Sequence, residues 1–103
     1  MFLKITSTGT GSRRVVRLEG ELDVTTANSL STELAGLITS TTPPRIVLDL
    51  SALAFCDSTG LGVLITAAHE CHIAGGWLRL DNVHPAVERL LTITGMTELT
   101  GRD

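Results

Sequence analysis

The chain has 103 residues, 43% hydrophobic and 18% charged, which bounds it to one globular domain (1–103) around a single core. Its net charge of −3, with eight Lys and Arg scattered along the chain, argues against a direct nucleic-acid binder, which needs a basic stripe. There is no apolar run near the roughly 20 residues of a membrane span, no visible signal peptide in Met1 to Thr10, and no disulfide framework or CxxC motif from Cys56 and Cys71, so a cytoplasmic protein with reduced thiols is expected.

In chain order, Phe2 to Thr6 reads as a short strand, and Thr8 to Ser12 as a glycine-containing turn. Arg14 to Leu22 then alternates with period two: Val16, Leu18, Gly20 and Leu22 share one face, and Val15, Arg17, Glu19 and Glu21 the other, which predicts a hairpin with one solvated face. From Asp23 the period changes. Ala27, Leu30, Leu34, Leu37 and Ile38 recur at helical spacing, with Asp23, Thr25 or Thr26 available as cap. Thr39 to Pro44 is a polar loop that no helix can cross. Arg45 to Leu50 is nearly continuous in apolar residues, as in a central strand covered on both faces, and an irregular connection is expected after it. Gly60 to Ile73 places Leu61, Leu64, Ile65, Ala68 and Cys71 on one helical face and ends at Gly75 and Gly76. Trp77 to Leu80 is a short strand. Pro85 opens a helix with Val87, Leu90, Leu91 and Ile93 in its stripe and Gly95 at its end, and Met96 to Leu99 reads as a last short strand. Strands joined by helices predict an α/β fold: a mixed, mostly parallel sheet with an antiparallel edge hairpin, packed against about three helices.

The chemistry concentrates where the apolar strand meets the second helix. The loop Ala54 to Gly62 delivers Asp57, Ser58 and Thr59 to a helix start, where about four backbone N–H groups lack intrahelical partners and the dipole is positive. A phosphate on Ser58 meets free donors and a favourable field there. Asp and Ser at a helix start are also commonplace as plain caps. Gly60 and Gly62, however, each cost up to about 1 kcal/mol relative to Ala, and two such costs so close together point to a use beyond capping: room for another backbone or a partner surface.

With these residues in view, the sequence resembles the STAS family, the domain shared by bacterial anti-sigma factor antagonists and the cytoplasmic parts of sulfate transporters. The resemblance rests on Gly20-Glu21-Leu22-Asp23, Ile46 to Leu50, Phe55 to Leu64 with its Asp57-Ser58-Thr59-Gly60-Leu61-Gly62 core, and Pro85 to Leu91 followed by Thr94-Gly95-Met96, covering roughly residues 2 to 100. In antagonists of this family the Ser directly after the Asp is phosphorylated by a partner that is both anti-sigma factor and ATP-dependent serine kinase. The resemblance implies that Ser58 is that residue, with Thr59 a second candidate site. It also implies that Asp57 organises the loop and that Asp23 stands in a second loop close by. Asp23, Asp57, Ser58, Thr59, Gly60 and Gly62 are then the partner-binding set. The unmodified protein, a monomer when free, binds the kinase and releases a sigma factor; the phosphorylated protein does not bind until a phosphatase acts on Ser58. Members of the family usually continue past the last short strand into a further helix, whereas this chain stops at Asp103, which predicts less cover over part of the sheet or the neighbouring helix.

Other constellations are weaker. His69-Glu70-Cys71-His72 has a His-x-x-His spacing, but no further ligand pair accompanies it, so a solvated helix face and no metal or other cofactor are expected. Cys56 is expected as a small buried hydrophobe and Trp77 as a packing residue. No G-x-S-x-G elbow and no P-loop is present, and no base is placed beside Ser58, so catalysis is not expected. The alternative within the family is a scaffold or soluble subunit of a stressosome-like or membrane transport assembly.

Overall fold

The computed structural model describes residues 2–9 and 13–94, and side chains as far as residue 91. Along the chain run β1 (Leu3–Thr8), β2 (Arg13–Leu22), α1 (Ala27–Ser40), β3 (Arg45–Cys56), α2 (Ser58–Ile73), β4 (Trp77–Asp81) and α3 (Pro85–Thr94). The expected hairpin turn falls partly, and the expected strand Met96 to Leu99 with the helix stop at Gly95 wholly, outside the described residues. The sheet has the order β1-β2-β3-β4. The first pair is antiparallel, with Ile5 opposite Leu18, and the other two are parallel, with Val16, Leu48 and Leu80 in one row across the sheet.

The layering follows from that order. Each parallel connection, β2-α1-β3 and β3-α2-β4, is expected to be a right-handed crossover. Because both step the same way across the sheet, both helices land on the same side. The core accordingly lies between one sheet face and the helices. Val16, Leu18, Leu22, Ile46, Leu48, Leu50 and Leu80 come from the sheet, Leu30 and Leu34 from α1, Leu61, Leu64 and Cys71 from α2, and Leu91 from α3, all at most 2% exposed. At roughly 1.5–3 kcal/mol for each large apolar side chain buried, this layer is the main stabilising term. The principal extents of 32 × 31 × 19 Å are those of two layers.

Cover on both faces of β3, suggested by its apolar run, is not what the structure shows. Ile46, Leu48 and Leu50 lie under the helices. Val47 is only 3% exposed but stands on the opposite face, between its register partners Val15 and Arg79. No helix among the described residues packs there, because the strand order never reverses. Trp77, expected as a packing residue, is on this open face too and is 36% exposed, with the Arg79 guanidinium 5.5 Å from its ring centroid.

The irregular connection expected after Leu50 is strand instead. β3 continues to Cys56 beside β2, while its pairing with β4 stops at Asp49. The register with β2 shifts between Arg17 and Glu19 and again between Gly20 and Glu21, which breaks the period-two pattern by which a strand is recognised in sequence. Gly20 sits at φ +116, and a Cβ there would lie 2.2 Å from the Phe2 carbonyl oxygen, so only glycine fits where β1 begins beside the shift.

Candidate functional site

Parallel strands end at the same edge, so the loops leaving β2 and β3 emerge side by side. They are joined through Leu22. Its Cα pairs in register with Cys56, and its carbonyl accepts a hydrogen bond from the Asp57 N–H at 3.1 Å. Two turns, Asp23–Thr26 and Asp57–Gly60, are thereby fixed relative to each other with a buried, 0%-exposed leucine between them.

At the second turn Asp57 is the N-cap of α2. It has extended backbone geometry, and its Oδ1 accepts from the Gly60 N–H at 2.8 Å while its carbonyl accepts from the Leu61 N–H at 2.9 Å. The helix therefore begins at Ser58, earlier than the apolar periodicity from Gly60 suggests. Ser58 and Thr59 are both exposed. With the Asp57, Gly60 and Leu61 amides committed, the Ser58 and Thr59 amides are left without an acceptor among the described residues, on the positive end of a 16-residue helix. The geometry is a hydroxyl in water beside two unused donors.

The two glycines, alike in sequence, differ in space. Gly60 is buried, and a Cβ on it would lie 2.5 Å from Leu22 Cγ and 2.9 Å from the Leu22 carbonyl oxygen. Its bare Cα lets α2 pack against the end of β2, so the close approach is by the protein's own chain. The partner surface expected at Gly60 is corrected accordingly. Gly62 is exposed, and a Cβ there would meet nothing within 4 Å.

Asp23 is likewise turned inward, at 4% exposure. Its Oδ1 accepts from the Thr25 hydroxyl at 2.6 Å, the Thr25 N–H at 2.8 Å and the Thr26 N–H at 3.2 Å. The Thr25 hydroxyl and then the two amides hold this carboxyl below the ordinary carboxylate range, against an opposing push from burial. Its Oδ2 is buried with no hydrogen-bond partner among the described residues. Of the three caps the sequence offers α1, the N-cap Thr26 makes no side-chain bond to a helix amide. Asp23 closes the turn ahead of the helix with its carboxylate, while its carbonyl accepts from the Ala27 N–H at 2.8 Å. Thr26 occupies the N-cap position, but its hydroxyl donates to the Glu21 carbonyl at 2.8 Å and accepts from the Asp23 N–H at 3.0 Å. Asp23 thus acts on the surface through the loop it holds, and does not itself present a carboxylate to a partner.

That loop and the end of β3 carry two features that sequence reasoning missed. Val24 is 70% exposed and Phe55 48% exposed. They put apolar surface in the two segments that flank the Leu22 joint. For Val24 the available signal was an apolar residue set between the polar turn residues Asp23 and Thr25. Cys56, next to Asp57, is half-buried, and burial followed by the neighbouring Asp57 charge pushes its thiol up to about 11. His69 and His72 are exposed on α2, away from this turn.

The sequence profile of the STAS domain matches residues 4–101. An anti-sigma F factor antagonist of Paenibacillus polymyxa is 35% identical over 85 residues, covering 82% of this chain and 73% of that protein. Among solved structures, an anti-sigma factor antagonist from Mycobacterium paratuberculosis superposes with a TM-score of 0.80 at 26% identity, over 94% of this chain and 81% of that one. The Bacillus cell fate determinant SpoIIAA in its phosphorylated form superposes at 0.76 and 23% identity, over 95% of this chain and 87% of that one, a likeness of fold.

Proposed function

We propose that this chain, which belongs to the STAS domain family, works as an anti-sigma factor antagonist, a binding protein and not an enzyme, in the cytoplasm. Its relative in Paenibacillus polymyxa carries that function in its name. In this reading the partner is an anti-sigma factor with ATP-dependent serine kinase activity. The unmodified chain, monomeric when free, occupies that partner and releases a sigma factor. Phosphorylation of Ser58 ends the complex, and a phosphatase restores it. Thr59 is the secondary acceptor.

The observation that carries this reading is the exposed Ser58 hydroxyl beside two amides with no acceptor among the described residues at the head of α2. A phosphoryl group adds about −1.5 to −2 charge. On the protein's own side that charge faces unused N–H donors and the helix dipole, so the fold tolerates it. On the partner's side the same charge enters a surface shaped for a neutral hydroxyl, with Val24, Phe55 and Gly62 exposed in the segments around it. One unit-charge pair at about 4 Å is worth about 4 kcal/mol at an effective dielectric of about 20, and each 1.4 kcal/mol is tenfold in affinity. A like-charged or desolvating contact therefore loses orders of magnitude in binding without any change of fold.

The test is incubation of the chain with an anti-sigma factor kinase and ATP, followed by intact mass and site mapping. A single phosphoryl addition on Ser58, lost in Ser58→Ala, is expected. A full shift that persists in Ser58→Ala moves the site to Thr59 or elsewhere and overturns the assignment.

A further inference from the structure

The sheet face away from the helices has an order of its own. Val15, Val47 and Arg79 form one cross-strand row, and Arg13, Arg45 and Trp77 form the next, at the first residues of β2, β3 and β4. These two rows hold three of the chain's eight basic residues and no acidic one, in a chain of net charge −3. Arg13 and Arg45 are direct register partners on that face. Arg79 is held over the Trp77 ring and reaches Asp81 of the following row at 3.0 Å. In the same two rows the face is apolar at Val15 and Trp77, each 36% exposed, and at Val47, 3% exposed.

Two physical regularities say what fits such a face. Parallel strands are normally covered by helices on both sides, and β2, β3 and β4 are parallel with a helix layer on one side alone among the described residues. An apolar strip flanked by arginines complements a helix with an apolar stripe and carboxylates on its flanks. A single-stranded nucleic acid needs successive aromatic platforms, and this face offers one ring and two valines. We propose that the open face at the N-terminal ends of β2, β3 and β4 is a second docking surface, for an acidic amphipathic helix of a partner protein. It stands roughly 30 Å from the Ser58 turn, counting along β3 from Val47 to Cys56 at about 3.3 Å per residue, so both surfaces can be occupied at once.

Trp77 is the only tryptophan in the chain, so its fluorescence reports this face directly. The probe is a synthetic 18-residue peptide with leucines at helical spacing and glutamates on either side of that stripe. The expected result is a saturable change in Trp77 emission, with affinity lowered at least tenfold in Arg13→Glu and unaffected in Ser58→Ala. Calorimetry repeats the titration independently of the fluorophore, and a scrambled peptide of equal composition, read with the wild-type chain, keeps the test independent of how any variant folds. Equal binding of the scrambled peptide would overturn the proposal. So would tighter binding of oligothymidylate than of the helix, self-association by sedimentation that competes with the peptide, or no binding at all. Equal kinase affinity of the unmodified and Ser58-phosphorylated chain, with peptide binding intact, would overturn the Ser58 reading alone; loss of peptide binding with the phosphorylation switch intact would overturn this one alone.

Discussion

Gly60 and Gly62 are two residues apart in one helix and chemically identical, yet their surroundings give replacement by alanine opposite signs. In an exposed helical position alanine is favoured over glycine by about 0.8–1 kcal/mol. At Gly62 an added methyl would have nothing within 4 Å, so Gly62→Ala keeps this gain and raises Tm by roughly 4–8 °C. At Gly60 the methyl falls 2.5 Å from Leu22 Cγ and 2.9 Å from the Leu22 carbonyl oxygen. Leu22 is fully buried and its carbonyl is bonded to the Asp57 amide, so neither can yield without moving the site loop. Overpacking of this kind costs about 1–3 kcal/mol. Set against the helix gain, Gly60→Ala is destabilised by up to about 2 kcal/mol, a fall in Tm of up to roughly 8–16 °C. Urea and thermal unfolding of the two variants measure the split. A double-mutant cycle with Leu22→Ala adds a specific check: removing the Leu22 side chain relieves part of the Gly60→Ala cost, so the coupling must be favourable by at least about 0.5 kcal/mol. Equal stability of Gly60→Ala and Gly62→Ala, or zero coupling to Leu22, would refute the packing of α2 on the end of β2.

Other consequences follow from the same contacts. Asp57→Ala removes the cap on the Gly60 amide and should lower stability by about 1 kcal/mol in urea unfolding, while Asp57→Asn retains most of it. Asp23, through the Thr25 hydroxyl, and Asp49, through the Asn82 amide, both titrate below their ordinary range in the folded state. With folded values below unfolded ones, their contribution is complete above about pH 4 and is lost as the pH falls through the folded values. Urea midpoints between pH 5 and pH 2 should therefore decline, and the decline should be shallower in Asp49→Asn. Cys56 and Cys71, both raised to about 11 chiefly by burial, should be alkylated slowly at pH 7.5 relative to a free thiol, with the rate rising towards pH 10. Fast labelling of Cys56 at neutral pH would contradict its half-buried placement.

The elements were legible in sequence wherever one face of a segment does one job. The alternation of Val16, Leu18 and Leu22 and the helical stripe of Leu30, Leu34 and Ile38 both point inward as the periodicity demands. Periodicity failed in β3 beyond Leu50, where two register shifts against β2 spoil the alternation although the backbone stays in the sheet. It was also silent on which face of β3 is covered, because that depends on strand order, a property of three connections together. The site divides in the same way. The placement of Asp57 and Ser58 at the head of α2 was legible because a strand, a loop and a helix start succeed one another within a few residues. The inward turn of Asp23 and the difference between Gly60 and Gly62 were not, since only packing against Leu22 and Thr25 distinguishes them. The basic residues look scattered along the chain, and the adjacent pair Arg13 and Arg14 points to opposite faces. It is the register that gathers Arg13, Arg45 and Arg79.

The central claim is that charge gained at Ser58 acts on the partner and leaves the architecture alone. Calorimetric titration of an anti-sigma factor kinase with unmodified and with stoichiometrically Ser58-phosphorylated chain tests it most directly, with unfolding of both forms measured in parallel. A loss of at least a hundredfold in affinity, about 2.7 kcal/mol, with unchanged thermal stability is the predicted result. Equal affinities, or a phosphorylated chain that binds poorly because it has unfolded, would contradict it.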